Sequence, residues 1–214
     1  MRVLGLSWIV IAAILLSGCG GDGASPASAG ESSRSPSPNS PASLLLQEGD
    51  LPPGSVSVEA LPEPCSPLVI LEKEHAEAAG SPLYKLGSKA VGEAVGIAPS
   101  QKRAAAAVED LGSQERLDCI GSTIQSFGPL EGVSLRSEKP EPIAEGEEGS
   151  MIRFLELDEQ EKPVNSTALV SFRSGRCIAT LLFLLKGGDP GRAFIDDLTG
   201  RAYGLLADAD ATCR

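Results

Sequence analysis

The chain is poor in the residue types from which most active sites are built. It holds one histidine, His75, and one tryptophan, Trp8, and aromatic residues make up 4% of its 214 positions. A lone histidine leaves little base chemistry near neutral pH, and the G-x-S-x-G elbow that would present a serine nucleophile does not occur. Neither a P-loop nor a Rossmann G-x-G-x-x-G is present. Positive charge is scarce as well: 18 Lys and Arg stand against 29 Asp and Glu, for a formal net charge of −11. That balance opposes binding to nucleic acid or to anionic headgroups, and no basic stripe with interleaved aromatics offsets it. Beyond the N-terminus there is no apolar run of about 18 residues, so no later segment reads as a membrane span.

The apolar run that does exist lies at the start. Arg2 is followed by Val3 to Leu16, almost wholly apolar, and then by Leu16-Ser17-Gly18-Cys19. A stretch of roughly 14 residues is too short to cross a hydrocarbon core about 30 Å thick, so it reads as the h-region of a signal peptide over residues 1–18. Leu16-Ser17-Gly18-Cys19 resembles the lipobox of bacterial lipoproteins. That resemblance implies diacylglycerol on the Cys19 sulfur, cleavage before it and attachment to the extracytoplasmic face of the cell membrane. An ordinary secretory signal that happens to contain a cysteine is the plainer alternative. Cleavage would remove one arginine and no acid, taking the formal charge from −11 to −12.

Residues 19–41 read as a disordered tether. Gly20-Gly21-Asp22-Gly23 and Ser35-Pro36-Ser37-Pro38-Asn39-Ser40-Pro41 offer nothing to bury in a core. As a flexible coil the tether would span roughly 25 Å. Residues 42–214 suffice for a single domain with its own core. The expected class is α+β, an antiparallel sheet with helices packed mainly on one face and two disulfides.

The elements follow from periodicity and punctuation. Ser43 is read as the cap of a short helical turn over Leu44, Leu45, Leu46 and Gln47. Ser55 to Glu59 alternates like a strand, and a helix is predicted from Ser66 or Pro67 to about Ala79. Leu83 to Ile97 suggests an extended pair. Pro99 opens a helix with Ala104, Ala105, Val108 and Leu111 on one face, resuming after Gly112 to carry Leu117 and Cys119. Met151 to Leu157, Ala168 to Phe172 and Cys177 to Leu185 read as strands, the last two joined at Ser174-Gly175. The third is apolar throughout and is expected to be central, with both faces covered. Asp189 and Pro190 then open a closing helix to about Ala207, with Phe194, Leu198, Ala202, Leu205 and Leu206 on its apolar stripe.

With Cys19 assigned to the anchor, Cys65, Cys119, Cys177 and Cys213 remain. Four cysteines in an exported domain imply two disulfides with three possible connectivities, of which Cys65–Cys119 with Cys177–Cys213 is favoured. A four-cysteine zinc site lacks its usual close C-x-x-C pairs.

Other polar features have plain explanations. His75 in Glu72-Lys73-Glu74-His75-Ala76-Glu77 could be a ligand or a proton carrier, but a solvated helix face accounts for it. Glu138, Glu141, Glu145, Glu147 and Glu148 lack the alternating spacing of a Ca²⁺ loop and read as a solvated loop. Asn165-Ser166-Thr167 fits a polar turn into a strand.

Leu45-Leu46, Asp50-Leu51-Pro52-Pro53-Gly54, Cys65 opening a helix, Val91-Gly92-Glu93-Ala94-Val95, an alanine-rich helix closed by Cys119, the strand from Cys177 and the final Cys213 occur in that order. This order resembles the exported sensor-like domains of actinobacterial lipoproteins, the PknH-like extracellular family. The resemblance implies a mixed sheet with helices, paired disulfides and a ligand cleft, but supplies no ligand residue. The reading is therefore a lipid-anchored, non-catalytic binding or sensor-like domain, without cofactor or metal, meeting an unknown small-molecule or protein ligand. The alternative is a carrier of lipid or another apolar ligand, which would require a deep apolar cavity.

Overall fold

Cys177–Lys186 is apolar at almost every position, which suits a strand covered on both faces. This strand (β9) occupies the middle of a nine-stranded antiparallel sheet. The structure is a computed structural model describing residue 37 and residues 39–58, 67–126, 133–187 and 191–214. The remaining strands are β1 (Val56–Val58), β2 (Glu77–Gly80), β3 (Leu83–Leu86), β4 (Lys89–Ile97), β5 (Ser134–Ser137), β6 (Glu141–Pro142), β7 (Glu148–Leu157) and β8 (Pro163–Ser174). Across the sheet the order is β1-β3-β4-β9-β8-β7-β5, with β2 also paired to β4 and β6 to β7. The helices are α1 (Pro67–Lys73), α2 (Gln101–Leu111), α3 (Gln114–Ser126), α4 (Arg192–Asp208) and α5 (Asp210–Cys213).

Register decides which side chains share a face. Val91, Glu93 and Val95 of β4 lie opposite Phe183, Leu181 and Ala179 of β9, which lie opposite Ala168, Val170 and Phe172 of β8. This face is covered by Ile195, Leu198, Ala202 and Leu206 of α4 and by Leu44, Leu45, Leu46 and Leu51 of the N-terminal segment. On the other face Ala94 and Ile178 pack beneath α1 and α2, through Ile70, Leu71, Ala104, Ala107, Val108 and Leu111. Ile152, Phe154 and Leu169 pack beneath Leu117 and Ile120 of α3. Helices thus cover both faces, α1, α2 and α3 on one and α4 on the other, which corrects the expectation of helices mainly on one face by adding a full second cover. The cause is the apolar character of the central strands in both registers: at about 1.5–3 kcal/mol per buried large side chain, neither face can be left to water.

Several local expectations shift with tertiary context. The helix predicted to reach Ala79 ends at Lys73, and Glu77–Gly80 pairs with β4 instead. His75 adopts a left-handed conformation, with φ of 58°. Its N–H donates to Glu72 O at 3.0 Å, and the Ala76 N–H donates to Leu71 O at 2.9 Å. These two bonds form a Schellman stop, completed by Ala76 and Leu71 packing in one cluster. His75 is therefore a cap residue beyond the helix, not part of its solvated face.

Residues before Ala42 also join the packed domain: Pro41 is buried, and Asn39 Oδ1 accepts from the Thr212 hydroxyl at 3.1 Å. In place of a capped helical turn, 3-10 turns form over Pro41–Leu44 and Glu48–Asp50. α4 begins at Arg192, after Gly191 in the left-handed region; Asp189 and Pro190 lie outside the described residues. Asn165-Ser166-Thr167 falls within β8, with Ser166 and Thr167 buried, rather than in a turn before it. Three of the acids read as a solvated loop are ion-paired: Glu141 with Arg153 and Arg192, Glu147 and Glu148 with Arg173.

Cys177 and Cys213 form a disulfide with a Cα–Cα distance of 5.0 Å, as the favoured pairing has it. Cys119 is also no free thiol, whereas Cys65 lies outside the described residues, so the two-disulfide expectation is met by one bridge among those described. The turn before Cys177 explains its glycine. Gly175 has φ of 57°, and a Cβ there would lie 2.1 Å from Cys213 O. Only a residue without a side chain admits the C-terminus at this approach.

Candidate functional site

The end of the sheet that carries the disulfide opens into a cleft of about 420 Å³. Four parts of the chain build it: the cap after α1 with His75 and Glu77, the end of β4 with Ile97, Ala98 and Pro99, the β8–β9 turn with Arg176, and α5 with Ala211 and Thr212. Asn39 closes one side. Each is positioned by a feature described above. The Schellman stop throws His75 out of line with α1, and the two-residue turn after Ser174 presents Arg176. The disulfide brings α5 against β9.

Arg176 ties the parts together. Its backbone N–H donates to Cys213 O at 2.5 Å, while Ala98 N–H donates to Arg176 O at 3.0 Å. In the side chain, Nη2 donates to Thr212 O at 2.9 Å and Nη1 to Ala98 O at 3.4 Å. A guanidinium has five N–H donors, so two bonds to backbone carbonyls leave donors for another acceptor. No described carboxylate lies within ion-pair distance of Arg176, although Glu77 lines the same cleft. Planar, fixed and half-buried, the group suits a carboxylate or phosphate oxygen. The neighbouring Cys177 and Cys213 are oxidised, so neither supplies a thiolate to the cleft.

A second polar feature sits within the core. Glu93 points to the α4 face of the sheet and is 6% exposed. Its Oε2 accepts from Leu46 N–H at 2.6 Å, and Oε1 has no partner. Burial pushes its carboxyl up to about 7, with Asp50 adding to the rise and the Leu46 bond opposing it. Burial likewise raises the Tyr84 hydroxyl, helped by Glu48 and Glu93. The contrast is Glu148 at the surface, which the Arg173 hydrogen bond holds below the usual carboxylate range.

A smaller cleft of about 310 Å³ between α3 and β5 is lined by Leu117, Asp118, Gly121, Ser122, Leu135, Ser137 and Phe154. Neither cleft is the deep apolar cavity a lipid carrier would need. Among the described residues no group of three or more His, Cys, Asp or Glu is placed to hold a metal, and no helix is long and apolar enough to cross a membrane. Of the residues singled out in the sequence, Cys177, Cys213 and His75 meet at or beside the main cleft. Cys119 lies apart on α3, and Cys19 and Cys65 fall outside the described residues. Arg176 and Thr212 carried no motif; Glu93 entered only as part of Val91-Gly92-Glu93-Ala94-Val95, yet it had a signal of its own, an apolar register between Val91 and Val95.

The raised Glu93 carboxyl makes stability depend on pH in a definite direction. An unfolded glutamate releases its proton near 4.5, whereas folded Glu93 holds it to about 7. Between these values the folded chain binds more protons, so its contribution to stability falls as pH rises and is fully lost above 7, by roughly 3 kcal/mol. Chemical denaturation from pH 4.5 to 8 is expected to show this decline, and Glu93→Gln is expected to remove that part of the slope.

No protein-family model matches the chain. No curated protein matches it either. Among solved structures, the crystal structure of the extracellular domain of PknH from Mycobacterium tuberculosis is similar in fold. The alignment covers 79% of this chain and 94% of that chain, with 10% sequence identity and a TM-score of 0.47. This likeness assigns no residue of either cleft.

Proposed function

We propose that this chain is a lipid-anchored, extracytoplasmic binding domain of the sensor-like kind, held to the membrane through Cys19 and braced by a second disulfide, Cys65–Cys119. Its ligand is a small molecule or protein segment that places an anionic group against Arg176. The observation that carries this reading is a half-buried guanidinium braced by two backbone carbonyls, with donors left over, in the larger of the two clefts. Four chain segments meet there, so occupancy would couple the α1 cap, β4 and the C-terminus. The absence of sequence motifs for nucleophiles and phosphate loops agrees with binding rather than turnover.

Two measurements test the two halves of the proposal. Titration of the isotope-labelled full chain with succinate, and separately with inorganic phosphate, is expected to move the resonances of Ile97, Ala98 and Thr212 saturably. Arg176→Gln, which drops the charge and shortens the side chain but keeps a polar amide, is expected to weaken that binding tenfold or more. Unmoved resonances with both anions, or equal binding by the variant, would overturn the anionic-ligand reading. For the anchor, mass spectrometry of chain expressed in a bacterium is expected to find an N-terminus at Cys19 carrying diacylglycerol. An unmodified N-terminus would overturn it.

A further inference from the structure

The segment from Leu44 to Leu51 is a strap laid over the α4 face of the sheet. Its four leucines belong to the same cluster as Val91, Val95, Leu181 and Phe183. Two polar contacts fix it. Arg201 Nη1 of α4 donates to Asp50 O at 2.9 Å from the outside, and Glu93 Oε2 accepts from Leu46 N–H at 2.6 Å from beneath. The first is exposed and the second buried, so the Glu93 contact is the one whose loss leaves polar groups stranded in the core.

Glu93 is an unusual residue for that position. It faces Leu181 across the β4–β9 pair, and its own backbone is fixed to Ser81, through Ser81 N–H to Glu93 O at 2.8 Å and Glu93 N–H to Ser81 Oγ at 2.9 Å. The groups facing it do not compensate a negative charge. The strap offers Asp50, and β3 offers Tyr84, on which Glu48 of the strap also acts. On α4, Arg201 is already paired with Asp197 and makes no ion pair with Glu93. The turn over Pro41–Leu44 brings no charged residue. A buried carboxylate in this setting has one N–H donor, an Oε1 without a partner and the acid Asp50 for a neighbour. A proton on Oε1 relieves the charge and leaves Oε2 to accept from Leu46.

We propose that the Leu44–Leu51 strap is a proton-operated latch: closed while Glu93 is protonated, and lifted from the sheet when Glu93 ionises and draws in water. Lifting frees eight residues at the N-terminal edge of the domain, a length that can add up to roughly 25 Å of chain. It also uncovers the apolar floor formed by Val91, Val95, Leu181 and Phe183. The pH range over which this happens follows from the burial that raises the Glu93 carboxyl to about 7. The strap and the Arg176 cleft share no lining residue.

Hydrogen exchange of the full chain, corrected for the intrinsic pH dependence of amide exchange, tests this directly. The Leu46 amide and the peptide around it are expected to lose at least tenfold in protection between pH 6 and pH 8, while the β7–β8 ladder keeps its own. Glu93→Gln is expected to hold the strap closed across the range. Should that variant fail to fold, Asp50→Asn decides the matter, because removing the neighbouring charge is expected to move the midpoint of strap release to lower pH. Strap protection that does not change with pH, the same loss in Glu93→Gln, or an unmoved midpoint in Asp50→Asn would each overturn the latch.

Discussion

The bond between Cys177 and Cys213 joins the first residue of the central strand to the last turn of the chain, and much of the molecule is arranged around that junction. It closes a loop of 36 residues, a constraint on the unfolded chain of about 4 kcal/mol in the entropic description. Everything inside that loop benefits: β9 is held at its start, and α4 is brought back across the sheet. Cys213 O then accepts from the Arg176 N–H, which is possible because Gly175 has no side chain to obstruct it. The guanidinium reaches Thr212 and Ala98 from there. The cleft is thus a consequence of how the C-terminus is pinned, and no single element owns it.

A buried carboxylate works against this otherwise consistent core. Sheet and helices agree in register and pattern, but Glu93 stands where Val91 and Val95 call for another apolar side chain. Its single hydrogen bond goes to a segment that contributes leucines to the core without belonging to any strand or helix of the sheet. Local conflict of this kind destabilises a fold, and it is commonly found where a protein must respond to something. Proton uptake is the response this arrangement allows.

Much of the fold was legible in the sequence. The unbroken apolar run of β9 announced a central strand, the alanine-rich helix fell where its stripe placed it, and Cys177–Cys213 belongs to the favoured one of the three connectivities that an even cysteine count allows. What was not legible depended on contacts distant in sequence. Glu77–Gly80 has helix-forming residues but is captured by β4, because the Schellman stop at His75 ends α1 early. The apolar run of β9 predicts cover on both its faces, and α4 supplies the second cover opposite α1, α2 and α3, where the helices were expected mainly on one face. The cleft could not be read at all: Asn39, His75, Arg176 and Thr212 come from four separate stretches and share no spacing.

The central claim is that the disulfide end organises the cleft, and a Cys177→Ala, Cys213→Ala double variant of the full chain tests it most directly. Amide spectra of this variant are predicted to change at Ala98, Arg176 and Thr212 while Met151, Ile152, Leu169 and Val170 stay in place, with a loss of stability of about 4 kcal/mol. Unchanged cleft resonances with a loss below about 1 kcal/mol would contradict the account.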